Sequence, residues 1–186
     1  MNRAVNQIVW ILLALAALSG CSNRFYTPDS VDSTLMLDGN DPVSYQTQAQ
    51  PTKGDPAIKI AHDGGMYRFA NAANRDTFVK NPSKYAPQYG GFCSNGAPYS
   101  IMLGGSTNTY KVVDGRLFMF SGPDSRKYWE MDERRNLELG DQYWKDEMSQ
   151  ASNAKVQSYK RIIFKVPHYK SGKDLEDAWQ ARQPKK

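Results

Sequence analysis

Alternating apolar and polar residues predict two β-hairpins in the middle of the chain. Side chains alternate over residues 57–62 with the period of a half-buried strand, and the alternation resumes after Asp63-Gly64-Gly65. Two further β-prone runs, residues 110–113 and 116–120, flank the dipeptide Asp114-Gly115. An Asp-Gly dipeptide between such runs is a strong hairpin signal, because both residues tolerate the backbone of a tight turn.

Helix signals follow the first hairpin. Asn71 is a typical N-cap for a helix over residues 72–80, in which Phe78 would be the main side chain facing the core. Pro82 fits the first turn of a second short helix that ends at Tyr85. The pattern therefore predicts helices that pack beside a hairpin.

The last third of the chain is mainly helical in composition. The pattern begins after Pro123 and continues to about residue 148, with a break expected at Gly140. Residues 156–166 fit either a helix or a strand, and residues 174–182 fit a short helix. No internal repeat is apparent. We predict an α+β fold: a small antiparallel sheet built from β-hairpins, short helices packed on it, and a helical C-terminal extension.

The first twenty-one residues predict an exported, lipid-modified chain. Arg3 precedes an unbroken apolar run over residues 8–18, which is shorter than the roughly 20 residues that a membrane-spanning helix needs. Such a run is typical of a signal peptide, residues 1–20 here. It ends in Leu18-Ser19-Gly20-Cys21, which resembles the lipobox of bacterial lipoproteins. The resemblance implies cleavage before Cys21 and acylation of its thiol.

A lipid on Cys21 determines the expected location. Several acyl chains bind a membrane firmly, since each buried methylene contributes about 0.8 kcal/mol. Ser22 follows the cysteine, where Asp would favour the inner membrane of a two-membrane bacterium, so we expect an outer-membrane lipoprotein facing the periplasm. Residues 21–35 would form the lipidated tether. The alternative is an ordinary secretory signal, with Cys21 joined to Cys93 by a disulfide.

Composition and charge restrict the partners. The chain is 40% hydrophobic and 23% charged, which is typical of a globular domain and excludes a disordered chain. The net charge of +5 comes from basic residues that are mostly interspersed with acidic ones. We therefore expect a solvated basic surface and no nucleic-acid binding. The expected partners are the membrane, through the lipid, and an envelope protein or a small molecule.

Several uncommon residue clusters occur in order along the middle of the chain. They are Asp38-Gly39-Asn40-Asp41-Pro42-Val43-Ser44-Tyr45, Tyr67-Arg68-Phe69, Asn74-Arg75-Asp76-Thr77-Phe78, Asn81-Pro82-Ser83-Lys84-Tyr85 and Tyr85-Ala86-Pro87-Gln88-Tyr89-Gly90-Gly91-Phe92-Cys93. In order and spacing they resemble the YHS domain family, in particular its periplasmic and lipoprotein branch. The resemblance implies a YHS-like domain over residues 36–148, followed by a C-terminal extension over residues 149–186.

The resemblance does not extend to a metal site. Many YHS domains resemble metal-binding modules with cysteine ligands, because soft thiolates select Cu(I) and Zn. At the three positions where those members carry cysteine, this chain has Ser44, Ala70 and Asn74. We therefore assign no metal ligand and expect no cofactor.

Cys93 is the candidate functional thiol, because acylation would consume Cys21. It lies in the Gly-rich loop, and we group Tyr85, Tyr89, Phe92 and His62 with this loop as a candidate ligand pocket. The alternative is that Cys93 is a small, buried, structural cysteine packed among aromatic side chains of the core.

Three functions remain open at the level of sequence. The first is an envelope module that binds a ligand or a partner. The second is a redox or enzymatic protein that uses Cys93. The third is a structural envelope protein without a ligand that uses its basic C-terminal extension as a contact surface. The sequence shows no catalytic motif, and we assign no catalytic residue.

Overall fold

The computed structural model describes residues 34–184 and confirms the α+β class. The predicted signal peptide and the lipidation site Cys21 lie outside the described residues. Thr34 and Leu35, which the sequence assigned to the tether, belong to the fold. The Thr34 carbonyl accepts a hydrogen bond from the Met66 amide at 2.7 Å, and Leu35 is buried.

Both predicted hairpins are present. Strand β1 (Asp55–His62) pairs antiparallel with β2 (Gly65–Phe69), and β3 (Ser106–Val113) pairs with β4 (Arg116–Phe120). They form two separate two-stranded sheets rather than one sheet. Each hairpin turns through an Asp-Gly pair with positive φ, as the turn chemistry requires.

Seven α-helices lie within residues 34–184. They are α1 (Ser44–Thr47), α2 (Ala72–Lys80), α3 (Pro82–Tyr85), α4 (Pro123–Glu130), α5 (Glu133–Asp146), α6 (Ala154–Ile163) and α7 (Gly172–Gln180). The bounds of α2 and α3 are those predicted. The Asn71 side chain accepts the Asn74 amide at 2.8 Å, so the predicted N-cap of α2 is present as well.

The predicted helix break at Gly140 is wrong. The break between α4 and α5 lies at Met131 and Asp132, and Gly140 continues inside α5. A Cβ at position 140 would lie 2.7 Å from Oη of Tyr89. Glycine is needed there because the helix backbone approaches the Tyr89 ring closely, and not because the helix ends.

The segment that fitted either a helix or a strand is a helix. The Asn153 side chain caps α6 by accepting the amides of Lys155 and Val156 at 2.9 and 3.2 Å. Ser171 and Asp174 form a reciprocal capping box at the start of α7. These helices pack on the domain, since Val166, between them, contributes to a buried cluster with Tyr99 and Ile101.

The structure contains an internal repeat that the sequence analysis missed. In each hairpin a strand of eight residues pairs with one of five, and the register shifts at the same place. The two turns, at Asp63 and Asp114, are 51 residues apart (63 to 114). A helix begins after each hairpin, at Ala72 in the first unit and Pro123 in the second.

The loops before the hairpins repeat too. A 3₁₀ turn precedes each hairpin, Met36–Gly39 in the first unit and Gln88–Gly91 in the second, and both contain left-handed residues. Two isolated bridges of each unit also correspond. The pair Leu35–Met66 matches Pro87–Leu117, and the pair Asn40–Lys53 matches Phe92–Gly104. Asp41 and Cys93 follow these turns at the same position, since each donates its backbone amide to a carbonyl across the loop, Thr52 and Leu103 respectively.

Each unit has its own buried cluster. The first centres on Phe69 and Phe78, the second on Phe118, Phe120 and Trp129. Leu117 and Met119 of β4 belong to the first cluster, so the second hairpin contributes to both. The two units therefore form one continuous body, with the Cys93 loop packed against its second hairpin and helix.

Candidate functional site

The Cys93 thiol is buried behind two serine side chains. Cys93 is 1% exposed, and its Sγ lies 3.0 Å from Oγ of Ser125 and 3.6 Å from Oγ of Ser121. The backbone amide of Ser121 donates to the same sulfur at 3.3 Å. Ser121 lies in the link between β4 and α4, and Ser125 lies in the first turn of α4. The sequence analysis singled out Cys93 but not these partners.

The repeat places a carboxyl group at the equivalent position of the first unit. Asp41 is fully buried, and its Oδ2 accepts hydrogen bonds from the Ala70 amide at 2.8 Å and Nδ2 of Asn74 at 2.6 Å. The Val43 amide donates to the other oxygen at 2.9 Å. Ala70 and Asn74 occupy the positions that Ser121 and Ser125 occupy in the second unit, 51 residues later (70 to 121, 74 to 125).

Ser44, Ala70 and Asn74 lie together in space. The Ser44 hydroxyl donates to the Asp41 backbone carbonyl at 2.6 Å, and the other two residues donate to the Asp41 carboxyl group. The Asp41 side chain thus joins the loop, the end of the hairpin and the start of α2. These hydrogen bonds give the cluster a structural role, because the buried carboxyl group is the acceptor for donors from the loop, the hairpin end and the helix.

A cleft of about 280 Å³ lies on the other side of the two serines. Half of its lining residues are aliphatic or aromatic, and Asn95 and Lys170 are polar; the aliphatic and aromatic ones are Tyr99, Ile101, Leu103, Tyr128, Tyr169 and Leu175. Ser121 and Ser125 provide polar groups between the cleft and the buried thiol. Apolar walls with a few polar groups are typical of small-molecule sites.

A second groove, of about 790 Å³, is lined mainly by polar residues beside β3 and α4. Its charges are already paired. Lys111 contacts Glu130 at 3.0 Å and Glu133 at 2.5 Å, and Arg126 contacts Glu130 at 2.9 Å. Lys127 contacts Asp124 and Glu176. Since a ligand would have to compete with these pairs, we favour the smaller apolar cleft.

Of the four residues grouped with Cys93 as a candidate pocket, Tyr89 and Phe92 share its buried cluster, whereas Tyr85 and His62 do not. Tyr85 packs in the cluster of the first unit, whereas Tyr89 and Phe92 pack in that of the second. His62 stacks edge-to-face on Phe78, with ring centroids 5.6 Å apart. Neither cavity described above is lined by any of these four residues. The group is divided because neighbours along the Gly-rich loop point into different cores.

Tyr89 also belongs to a partly buried polar group. Its hydroxyl donates to Oδ1 of Asp141 at 2.9 Å, and Arg116 holds the same carboxylate with bonds of 2.6 and 2.9 Å. Burial, followed by the negative charge of Asp141, raises the pKa of Tyr89 far above its usual value. The Tyr89 phenol therefore stays protonated and connects its loop to α5.

Within residues 34–184 no group of three or more His, Cys, Asp or Glu side chains is arranged to hold a metal ion. In the same part of the chain, no helix has the length and apolarity that a membrane crossing requires. The cleft stays the candidate ligand site because of its own lining, in which Ser121, Ser125, Asn95 and Lys170 are polar.

Comparisons with known proteins identify no relative of this chain. No protein-family model matches the chain, and no curated protein or solved structure matches it. Membership of the YHS family thus stays a prediction that rests on the residue clusters quoted above.

Proposed function

We propose that this chain is a lipid-anchored module of the bacterial envelope, related to YHS domains, which binds a small aromatic or apolar molecule in the cleft beside Cys93. The observation that carries the proposal is the composition of the cleft. Aromatic and aliphatic side chains form its walls, and the hydroxyls of Ser121 and Ser125 offer a ligand two hydrogen-bonding groups.

The burial of Cys93 favours binding over thiol chemistry. A reactive cysteine needs an accessible sulfur, whereas a molecule in the cleft meets Ser121 and Ser125 before it reaches this one. The thiol instead orients the two hydroxyls through its contacts. The redox alternative from the sequence therefore gains less support than the binding module.

Filling the cleft should weaken binding without unfolding the protein. Gly172 lines the cleft at the start of α7, and a Cβ built there meets no atom within 4 Å. We expect Gly172→Phe to place a ring in the cleft and to weaken binding of indole or p-cresol at least about tenfold. The added ring would displace the probe from apolar surface whose burial contributes about 1–3 kcal/mol to binding. Ligand-observed NMR measures the dissociation constants.

Gly122→Phe is the matched control. Gly122 also has open space around its Cβ position and also lies at the start of a helix, but it does not line the cleft. The control variant should bind both probes like the wild type. Equal loss of binding in the two variants, or no binding by the wild-type chain, would contradict the proposed cleft.

The lipid anchor has its own test. The chain purified from a bacterial envelope should begin at Cys21, and the mass of its N-terminal peptide should include a diacylglycerol on that residue. Cys21→Ser should leave the precursor uncleaved and unacylated, because the thiol accepts the lipid. A mature N-terminus at any other residue would refute the anchor while leaving the cleft proposal intact.

A further inference from the structure

Most of the side of α6 that faces solvent is apolar, and exposed Phe164 directly follows the helix. Val156, Tyr159, Ile162, Ile163 and Phe164 are between 45% and 70% exposed. Residues three or four positions apart share one face of a helix, so Val156, Tyr159 and Ile163 lie in a row. We call these five residues the apolar patch. Single exposed apolar residues are common in soluble proteins, but a contiguous group of five marks an interaction surface.

The opposite side of α6 is polar and buried, which reverses the usual pattern of a surface helix. The Ser158 hydroxyl accepts the Met102 amide at 3.0 Å and donates to the Met102 carbonyl at 3.2 Å. Gln157 donates from Nε2 to Oγ of Ser100 at 2.7 Å and to Glu147 at 2.9 Å. Polar contacts thus fix the helix to the domain with its apolar residues outward.

An ion pair strengthens this attachment. Arg161 donates to both carboxylate oxygens of Glu147, with one of the distances 2.9 Å. Burial alone would raise the pKa of Glu147, but the hydrogen bonds from Arg161, Gln157 and Ser100 outweigh it and hold the pKa below its usual value. Glu147 therefore stays ionised at neutral pH, and the apolar patch remains exposed.

The charges around the patch favour an anionic surface. Lys155 and Lys160 lie on the exposed side of α6, and Lys165 follows Phe164, all three exposed. From residue 148 to residue 173 the sequence contains no Asp or Glu. Apolar side chains bordered by lysines are typical of helices that lie in the interface of a membrane with anionic lipids. The same charges would repel a second copy of this face.

We propose that the apolar patch of α6 docks the domain on an anionic phospholipid bilayer, with Lys155, Lys160 and Lys165 at the headgroups. The inference rests in part on the lipid anchor proposed above. The 13 residues from Cys21 to the start of the described fold span at most about 45 Å when extended. A domain of this size has a radius of gyration of about 15 Å, so the anchor permits contact between α6 and the same bilayer.

The experiment uses the mature chain, residues 21–186, with Cys21→Ser so that no acyl chain contributes. We expect this chain to sediment with vesicles of phosphatidylethanolamine and phosphatidylglycerol, and about tenfold less with phosphatidylcholine alone. The double variant Ile163→Ser, Phe164→Ser should reduce binding to the anionic vesicles at least about tenfold. Added salt should weaken the wild-type binding as well.

Val79→Ser is the matched control, because Val79 is an exposed apolar residue on α2 outside the patch. It should leave vesicle binding unchanged. The proposal is overturned if the wild-type chain does not bind anionic vesicles, or if the double variant binds as well as the wild type. A dimer that forms without vesicles and disappears in the double variant would assign the patch to self-association instead. None of these results depends on acylation of Cys21 or on probe binding in the cleft, which are measured separately.

Discussion

Replacing Asp41 with alanine is expected to lower the free energy of unfolding by about 3–5 kcal/mol. The Asp41 side chain is fully buried and accepts hydrogen bonds from the amides of Val43 and Ala70 and from the Asn74 side chain. Without the carboxyl group these donors remain buried and lose their acceptor, and each costs about 1–3 kcal/mol if it stays unpaired. Urea denaturation followed by circular dichroism measures the change.

Asp76→Ala is the control for this prediction. Asp76 is exposed, and the guanidinium of the adjacent Arg75 contacts its carboxylate at 2.8 Å. Removing an exposed pair of this kind should cost no more than about 1 kcal/mol. If Asp41→Ala were no more destabilising than Asp76→Ala, the buried carboxyl group would not be the structural centre of the first unit.

The second large effect is expected for Trp129→Ala, again about 3–5 kcal/mol. Trp129 is the buried residue of α4, and its ring packs 5.6 Å from Phe118 and 5.4 Å from Phe120, measured between centroids. The same helix carries Ser125, whose hydroxyl contacts the Cys93 sulfur. Loosening α4 should therefore expose Cys93, and labelling by a maleimide should become faster than in the wild type.

The variant Phe78→Ala distinguishes local opening at α4 from global unfolding of the protein. Phe78 holds the equivalent position on α2 and is 1% exposed, so its truncation should destabilise the protein by a similar amount. Because α2 does not contact the Cys93 sulfur, labelling should rise only as far as global unfolding permits. In both variants Cys21 is acylated or replaced with serine, so that the maleimide labels Cys93 alone. Equal labelling rates at equal stability would show that α4 does not shield the thiol.

Local sequence signals were sufficient wherever the structure depends on neighbouring residues. The two Asp-Gly turns with their flanking runs predicted both hairpins, and Asn71 with Pro82 predicted the bounds of α2 and α3. The turn geometry and the caps involve residues a few positions apart, so their chemistry is visible in the sequence. The lipobox at Cys21 is a local signal too, and its acylation remains a prediction.

The repeat was missed because few side chains are the same in its two units. The Asp-Gly turns recur at 63 and 114, but the position of Asp41 is taken by Cys93, and that of Phe78 by Trp129. What the units share is backbone pairing and register, which many sequences satisfy. The recurrence of Asp-Gly turns at a fixed spacing was the one sequence signal of the repeat.

The sequence by itself determined the hairpins, the first helices and the motif at Cys21, because each depends on adjacent residues. Only the tertiary structure decided which side chains meet. It placed Ser121 and Ser125 on Cys93, gathered the cleft from loops and helices between Asn95 and Leu175, and separated Tyr85 from Tyr89. It also turned the apolar side of α6 outward, since Ser100, Met102 and Glu147 fix the polar side of that helix from other parts of the chain.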